Sequence, residues 1–113
     1  HQVSRARTFG YIDEVEYLKS KGLAQGASLD NAIGISADGV INPEGLRYSD
    51  EFARHKVLDC IGDLYISGLR IKGAVNASQA GHALNNQVLR KIFADPSSYR
   101  IITTIPSRLA SAF

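Results

Sequence analysis

The sequence predicts an α+β domain, a largely antiparallel sheet with two long helices on one face. Three observations carry this. Residues 50–67 and 81–93 place apolar side chains at helical spacing. Several short runs rich in Thr, Val, Ile and aromatic residues are bounded by Gly, Pro, Asn or Asp, as strands are. The chain has 113 residues, 44% hydrophobic and 21% charged, which suits one domain with its own core.

The elements follow in order. Residues 6–12 (ARTFGYI) read as a short strand. Residues 13–21 carry Asp13 and Glu14 in the first turn and Lys19 and Lys21 in the last, an arrangement that suits a helix dipole, with Gly22 as the stop. Residues 23–31, rich in Gly, Ala, Ser and Asn, read as loop, and 32–35 as a second strand. Ala37-Asp38-Gly39 is a hairpin turn from which Val40 and Ile41 resume pairing. Pro43-Glu44-Gly45 is another turn, and Leu46-Arg47-Tyr48 a brief strand. Ser49 and Asp50 offer capping oxygens to a helix running to about 67, with Gly68 beyond it. Residues 70–78 read as a strand. In the helix over 81–93, Leu84, Val88, Leu89 and Ile92 share a face, and Asp95-Pro96 ends it. Residues 99–104 read as a last strand, and the tail to Phe113 has no pattern.

The bulk properties exclude several classes. The net charge is +2 and the basic residues are scattered, so no nucleic-acid footprint is expected. No apolar run approaches the roughly 20 residues of a membrane span, and no signal peptide is visible. A single cysteine, Cys60, permits no internal disulfide and reads as a small core residue, which fits a cytoplasmic protein.

The chemistry concentrates in residues 55–63, HKVLDCIGD. On a helix, His55, Asp59 and Asp63 fall along one stripe, with Val57, Ile61 and Leu64 on the other side as an apolar back for the core. A histidine and a carboxylate four apart can reach one metal ion, and zinc accepts both. Asp63, a turn further on, could orient a ligand or a nearby imidazole. The same spacing also occurs in ordinary surface ion pairs, and spacing alone leaves both readings open. A second histidine, His82, opens the last helix after Gly81, where it can meet a carboxylate or simply start the helix.

Thr8-Phe9-Gly10, Gly26-Ala27-Ser28, Asn42 to Tyr48, Asp50 to Leu64 and Ala80 to Asn86, in this order, resemble the C-terminal half of the bacterial UDP-3-O-acyl-N-acetylglucosamine deacetylases, zinc amidases that commit their substrate to lipid A. The RHKxxDxxGDL element is the most specific part, and the resemblance runs from Arg7 to about Ile102.

The resemblance implies the second half of a two-domain sandwich in which helices lie between sheets, with a β-α-β insert at about 8–36 and residues 1–113 as the C-terminal domain. His55 and Asp59 would bind Zn2+. Asp63 would pair with His82, the catalytic histidine, and favour its protonated form. Lys56 would contact the substrate near its diphosphate, and Thr8 and Phe9 its acyl ester and sugar ring. Val15, Leu18, Ala24, Ser28 and Ala32 would line a passage for the acyl chain. In the family, the third zinc ligand, a histidine, and the glutamate base lie in an N-terminal domain that this chain lacks, and the only other histidine here is His1. The chain alone is therefore expected to be inactive. Gln79, where some members have lysine, and Ala27, where glycine is common, depart from the pattern. The rival readings are a non-catalytic, partner-dependent domain and a metal-free lipid- or nucleotide-binding domain.

Overall fold

A computed structural model of the chain describes residues 2–103, so His1 and the tail from 104 to Phe113 lie outside the described residues. The elements are β1 (Thr8–Tyr11), α1 (Ile12–Ser20), β2 (Ala32–Ser36), β3 (Gly39–Val40), α2 (Glu51–Tyr65), α3 (His82–Ala94) and a 3-10 turn over Pro96–Ser98. The architecture is α+β, with the helices and the edges of the first two strands close to their sequence-predicted places.

The sheet differs from the expectation of a largely antiparallel one. It has three strands in the order β1-β2-β3 and is mixed. β1 and β2 are parallel, with Phe9 opposite Ile33, and only the two-residue β3 runs antiparallel, with Ile35 opposite Val40. The cause is α1. A helix between two neighbouring strands returns the chain to the same end of the sheet, so the strands it connects run parallel. The β-α-β unit over 8–36 thus supplies the greater part of the sheet.

α1 stops where the sequence places its stop. Gly22 has φ +77°, its N–H donates to Lys19 O, and the Leu23 N–H donates to Leu18 O. These paired bonds close the last turn as a Schellman motif, which needs the left-handed residue that glycine supplies. Gly34 is required for a different reason. A Cβ there would lie 2.9–3.0 Å from side-chain carbons of Ile41, Ile12 and Leu29, so β2 can pack under α1 and its loop only without one. Asn42, nearly fully buried, closes the same corner. Its Oδ1 accepts from Gly34 N and its Nδ2 donates to the carbonyls of Leu29 and Ala32, all at 2.9 Å.

The strands expected at 46–48 and 70–78 do not form, and 99–103 is also irregular, Thr104 lying outside the described residues. A strand needs a neighbour for its backbone N–H and C=O groups. No described segment lies alongside these runs to pair with them. Pro43 and Gly45 also turn the chain away from the sheet before residue 46, and Gly73 interrupts the 70–78 run.

The expectation of two long helices on one sheet face holds only for one. α2 touches β1, whereas α3 packs on α2 and on the 3-10 turn, away from the strands. The apolar back expected for α2 is also left uncovered, since Val57 and Ile61 are exposed. On α3, Leu89 is buried while Leu84 and Val88 face outward. Among the described residues the buried apolar side chains are Ala6, Ile33 and Leu89. The buried polar ones are Arg7, Asn42, Glu51 and Asn85. Hydrogen bonds between named polar groups, more than a broad apolar core, therefore set how α2 sits against β1 and α3.

Candidate active site

α2 carries the candidate groups. The helix starts at Glu51, and Asp50 precedes it without capping it, its carboxylate being occupied by Arg54 Nε at 2.6 Å. From Glu51 onward, His55, Asp59 and Asp63 recur at four-residue intervals along one stripe, as their spacing predicts.

His55 and Asp59 converge. Nε2 of His55 lies 3.2 Å from Oδ1 of Asp59, and both side chains are largely withdrawn from solvent. Nδ1 of His55 lies 3.1 Å from the Ala6 carbonyl oxygen. A carbonyl oxygen only accepts, so Nδ1 is the donor and carries a proton. Nε2 then either donates a second proton to Asp59 or turns a lone pair toward a carboxylate, and the second arrangement calls for a cation between them. Two donors about 2.1 Å from a tetrahedral zinc lie about 3.4 Å from each other. The pair thus fits two corners of such a site. Among the described residues, no set of three His, Cys, Asp or Glu side chains is gathered to hold a metal ion.

β1 closes the side of this pair. Phe9 packs edge-on against Phe52 with ring centroids 4.7 Å apart and faces the His55 ring at 6.4 Å. Lys56 Nζ is 3.9 Å from Asp59 Oδ2 and 5.5 Å from the centre of the Phe9 ring. Phe9, Lys56, His55 and Asp59 are therefore one cluster, with an ammonium at its open edge. Thr8 is exposed at the start of β1.

Asp63 and His82 form the second cluster. His82 Nδ1 lies 2.8 and 3.0 Å from the two Asp63 oxygens. His82 is the first residue of α3 and its side chain is mostly exposed, whereas Asp63 is mostly covered. Asn85, one turn along α3 from His82, donates from Nδ2 to Asp63 Oδ2 at 2.8 Å. The amide of Asn85 and the imidazole of His82 hold the Asp63 carboxyl below its ordinary value, against the effect of burial. The sequence reading gave Asn85 no role. Its signal was position, three residues after a histidine on the same helix face.

Sequence reasoning also missed Arg7 and Glu51, which form a buried ion pair beside the metal-ligand candidates, with Arg7 Nε 3.0 Å from Glu51 Oε1. Arg7 reaches Glu44 through Nη1 and the Gly45 carbonyl through Nη2 at 2.7 Å. The Glu51 carboxyl is held down from 4.5 to about 2, chiefly by hydrogen bonding to the Arg7 guanidinium.

The residues expected to line an acyl passage sit in the β-α-β unit. Val15 is half-buried over Gly10, and Ala32 is half-buried in β2. Leu18, Ala24 and Ser28 are exposed, Ala24 with φ +49°. They lie on an open surface of this chain and do not by themselves enclose a channel.

Residues 1–94 match the model of a family described as UDP-3-O-acyl N-acetylglycosamine deacetylase. The UDP-3-O-acyl-N-acetylglucosamine deacetylase of Acinetobacter baumannii is 55% identical over 103 residues, which cover 91% of this chain and 34% of that protein. The protein of the same name from Hydrogenovibrio crunogenus is 54% identical over 102 residues, 90% of this chain and 33% of that protein. The chain thus spans about a third of the length of these curated relatives.

Proposed function

The chain belongs to the UDP-3-O-acyl N-acetylglycosamine deacetylase family, and on that premise we propose that it carries part of the active site for hydrolysis of the N-acetyl group of UDP-3-O-acyl-N-acetylglucosamine. The products are acetate and a free 2-amino sugar, the committed step toward lipid A. The observation that supports this best is the α2 stripe, which pairs His55 with Asp59 and, one turn on, Asp63 with His82.

In this reading, His55 and Asp59 would hold Zn2+. A bound zinc ion lowers the pKa of a coordinated water and polarises the acetamide carbonyl. Asp63 holds His82 by Nδ1 and leaves Nε2 directed outward, where a proton on it can stabilise the oxyanion and then pass to the departing amine nitrogen. Asn85 keeps the Asp63 carboxylate charged and aimed. Lys56 meets the diphosphate of the substrate, with the Phe9 ring against the sugar and Thr8 at the acyl ester. Val15, Leu18, Ala24, Ser28 and Ala32 form one wall of the acyl path.

Two ligands do not complete a catalytic zinc site. A segment beyond this chain, the N-terminal domain of the whole enzyme, supplies the third ligand and the general base, and docks on the apolar surface of α2. The chain alone is then inactive. No described helix is long and apolar enough to cross a membrane, and we place the reaction in the cytoplasm.

A zinc titration of the purified chain beside a His55→Ala variant tests the metal reading. Weak binding that disappears in the variant is expected. Equal binding by both proteins would remove His55 from the site. In a parallel assay, the chain alone is expected to leave UDP-3-O-acyl-N-acetylglucosamine intact, and turnover at the rate of a full-length relative would show that no outside segment is needed.

A further inference from the structure

Glu51 is completely buried at the start of α2, and both its oxygens are used. Oε1 accepts from the backbone N of Arg7 at 2.9 Å and from Arg7 Nε at 3.0 Å. Oε2 accepts from Arg7 Nη2 at 3.2 Å and from the backbone N of Arg47 at 2.5 Å. The Arg7 N–H matters most, because it belongs to the same peptide group as the Ala6 carbonyl. That carbonyl oxygen accepts from His55 Nδ1. One rigid peptide plane therefore spans two residues one helical turn apart, with Glu51 gripping its N–H end and His55 bound at its C=O end.

We infer that Glu51 is a positioning residue for His55, acting through the Ala6–Arg7 peptide. Metal-binding imidazoles are commonly oriented by a carboxylate or carbonyl on the other ring nitrogen. Here the two are in series. The carboxylate fixes and polarises the amide, and the amide carbonyl fixes the imidazole. Glu51 thereby sets the ring plane that turns Nε2 toward Asp59. Arg7 has a separate part, neutralising Glu51 so that a carboxylate can stay buried there.

The inference rests on the proposed metal reading only for its purpose, and the ring orientation can be measured without metal. The chain is labelled with nitrogen-15, and the His55 ring nitrogens are followed by long-range proton–nitrogen correlation at one fixed pH, before and after zinc is added. In the unmodified chain, Nδ1 is expected to carry its proton in both states. A neutral ring protonated on Nε2, with Nδ1 bare, would overturn the inference, and this measurement needs no variant.

Two variants separate positioning from general stability. Arg7→Lys retains the residue 7 N–H and the Glu51 carboxylate, so the His55 ring signals are expected to stay as they are. The double variant Arg7→Met/Glu51→Leu replaces the ion pair with apolar volume and leaves the peptide N–H without its acceptor. In this protein, with helical circular dichroism retained, the His55 signals are expected to move toward a mixture of tautomers. Zinc affinity falls about 10- to 100-fold, the range seen when outer-shell partners are lost. Unchanged ring signals and unchanged Kd in the folded double variant would overturn the inference. Ring signals that move in a chain that binds no zinc would support the positioning role and remove the metal reading instead.

Discussion

The Asp63 carboxylate accepts hydrogen bonds from two residues of α3, the His82 ring and the Asn85 amide. Removing the amide leaves one oxygen less well satisfied while His82 stays in place, so Asn85→Ala is expected to raise the Asp63 pKa toward its ordinary value. A carbon-13 titration of the Asp63 carboxyl reads this directly, and an unchanged titration would show that the amide does not hold it. Glu51 gives a prediction about pH and stability. Its folded value, about 2, lies below its ordinary 4.5, so the unfolded chain binds the proton more readily. Its contribution is complete above about pH 4.5 and is lost as the pH falls toward about 2. Urea midpoints are therefore expected to drop between about pH 5 and pH 3 in the unmodified chain, and to drop less in Arg7→Met/Glu51→Leu. Breaking the pair on one side, as in Glu51→Ala, leaves a buried guanidinium without its main partner and costs about 3–5 kcal/mol.

At the scale of elements, the β-α-β unit is held by two glycines with distinct duties. Gly22→Ala places a side chain at φ +77° in open space, so its cost is conformational, about 1–2 kcal/mol. Gly34→Ala meets three side-chain carbons at 2.9–3.0 Å, so its cost comes from overpacking, about 1–3 kcal/mol. Thermal melts check both, and an Ala at 34 that leaves the melting temperature unchanged would show that Ile41, Ile12 and Leu29 move aside freely. The helices behave differently from the strands. α1, α2 and α3 satisfy their backbone groups internally and end at signals written beside them. These are the glycines after α1 and α2, and the Asp95-Pro96 step, where Asp95 is extended at φ −121°. The runs at 46–48 and 70–78 have strand-like composition but no neighbour, and composition cannot supply one.

At the largest scale, the radius of gyration over the described residues is 18.8 Å, against about 13 Å for a compact domain of 100 residues. A groove of about 290 Å³ between the C-terminal half of α2 and the following segment is lined by Ile61, Leu64, Tyr65, Leu69, Ile71 and Val75, among others. Val57 and Ile61 on α2 and Leu84 and Val88 on α3 are also exposed. So much uncovered apolar surface is uncommon on a chain that works alone. The purified chain is expected to associate with itself as concentration rises, and Ile61→Lys to reduce this. Sedimentation that stays monomeric at high concentration would show that this surface tolerates water.

Part of this was legible in the sequence because it depends on local spacing. His55, Asp59 and Asp63 lie on one stripe because a helix repeats every 3.6 residues, and His82 opens α3 because Gly81 and the apolar period mark its start. The motif set carried the family on the same basis. The tertiary structure alone decided the rest, because it concerns groups far apart in the chain. Residues 8–11 pair with 32–35 in parallel because α1 returns the chain to the same end of the sheet. Asn85 meets Asp63 across two helices, and Glu51 grips the peptide before β1 from 44 residues away. A sequence displays the period of one element. Which buried polar group satisfies which partner is settled only when the elements meet and water is excluded between them.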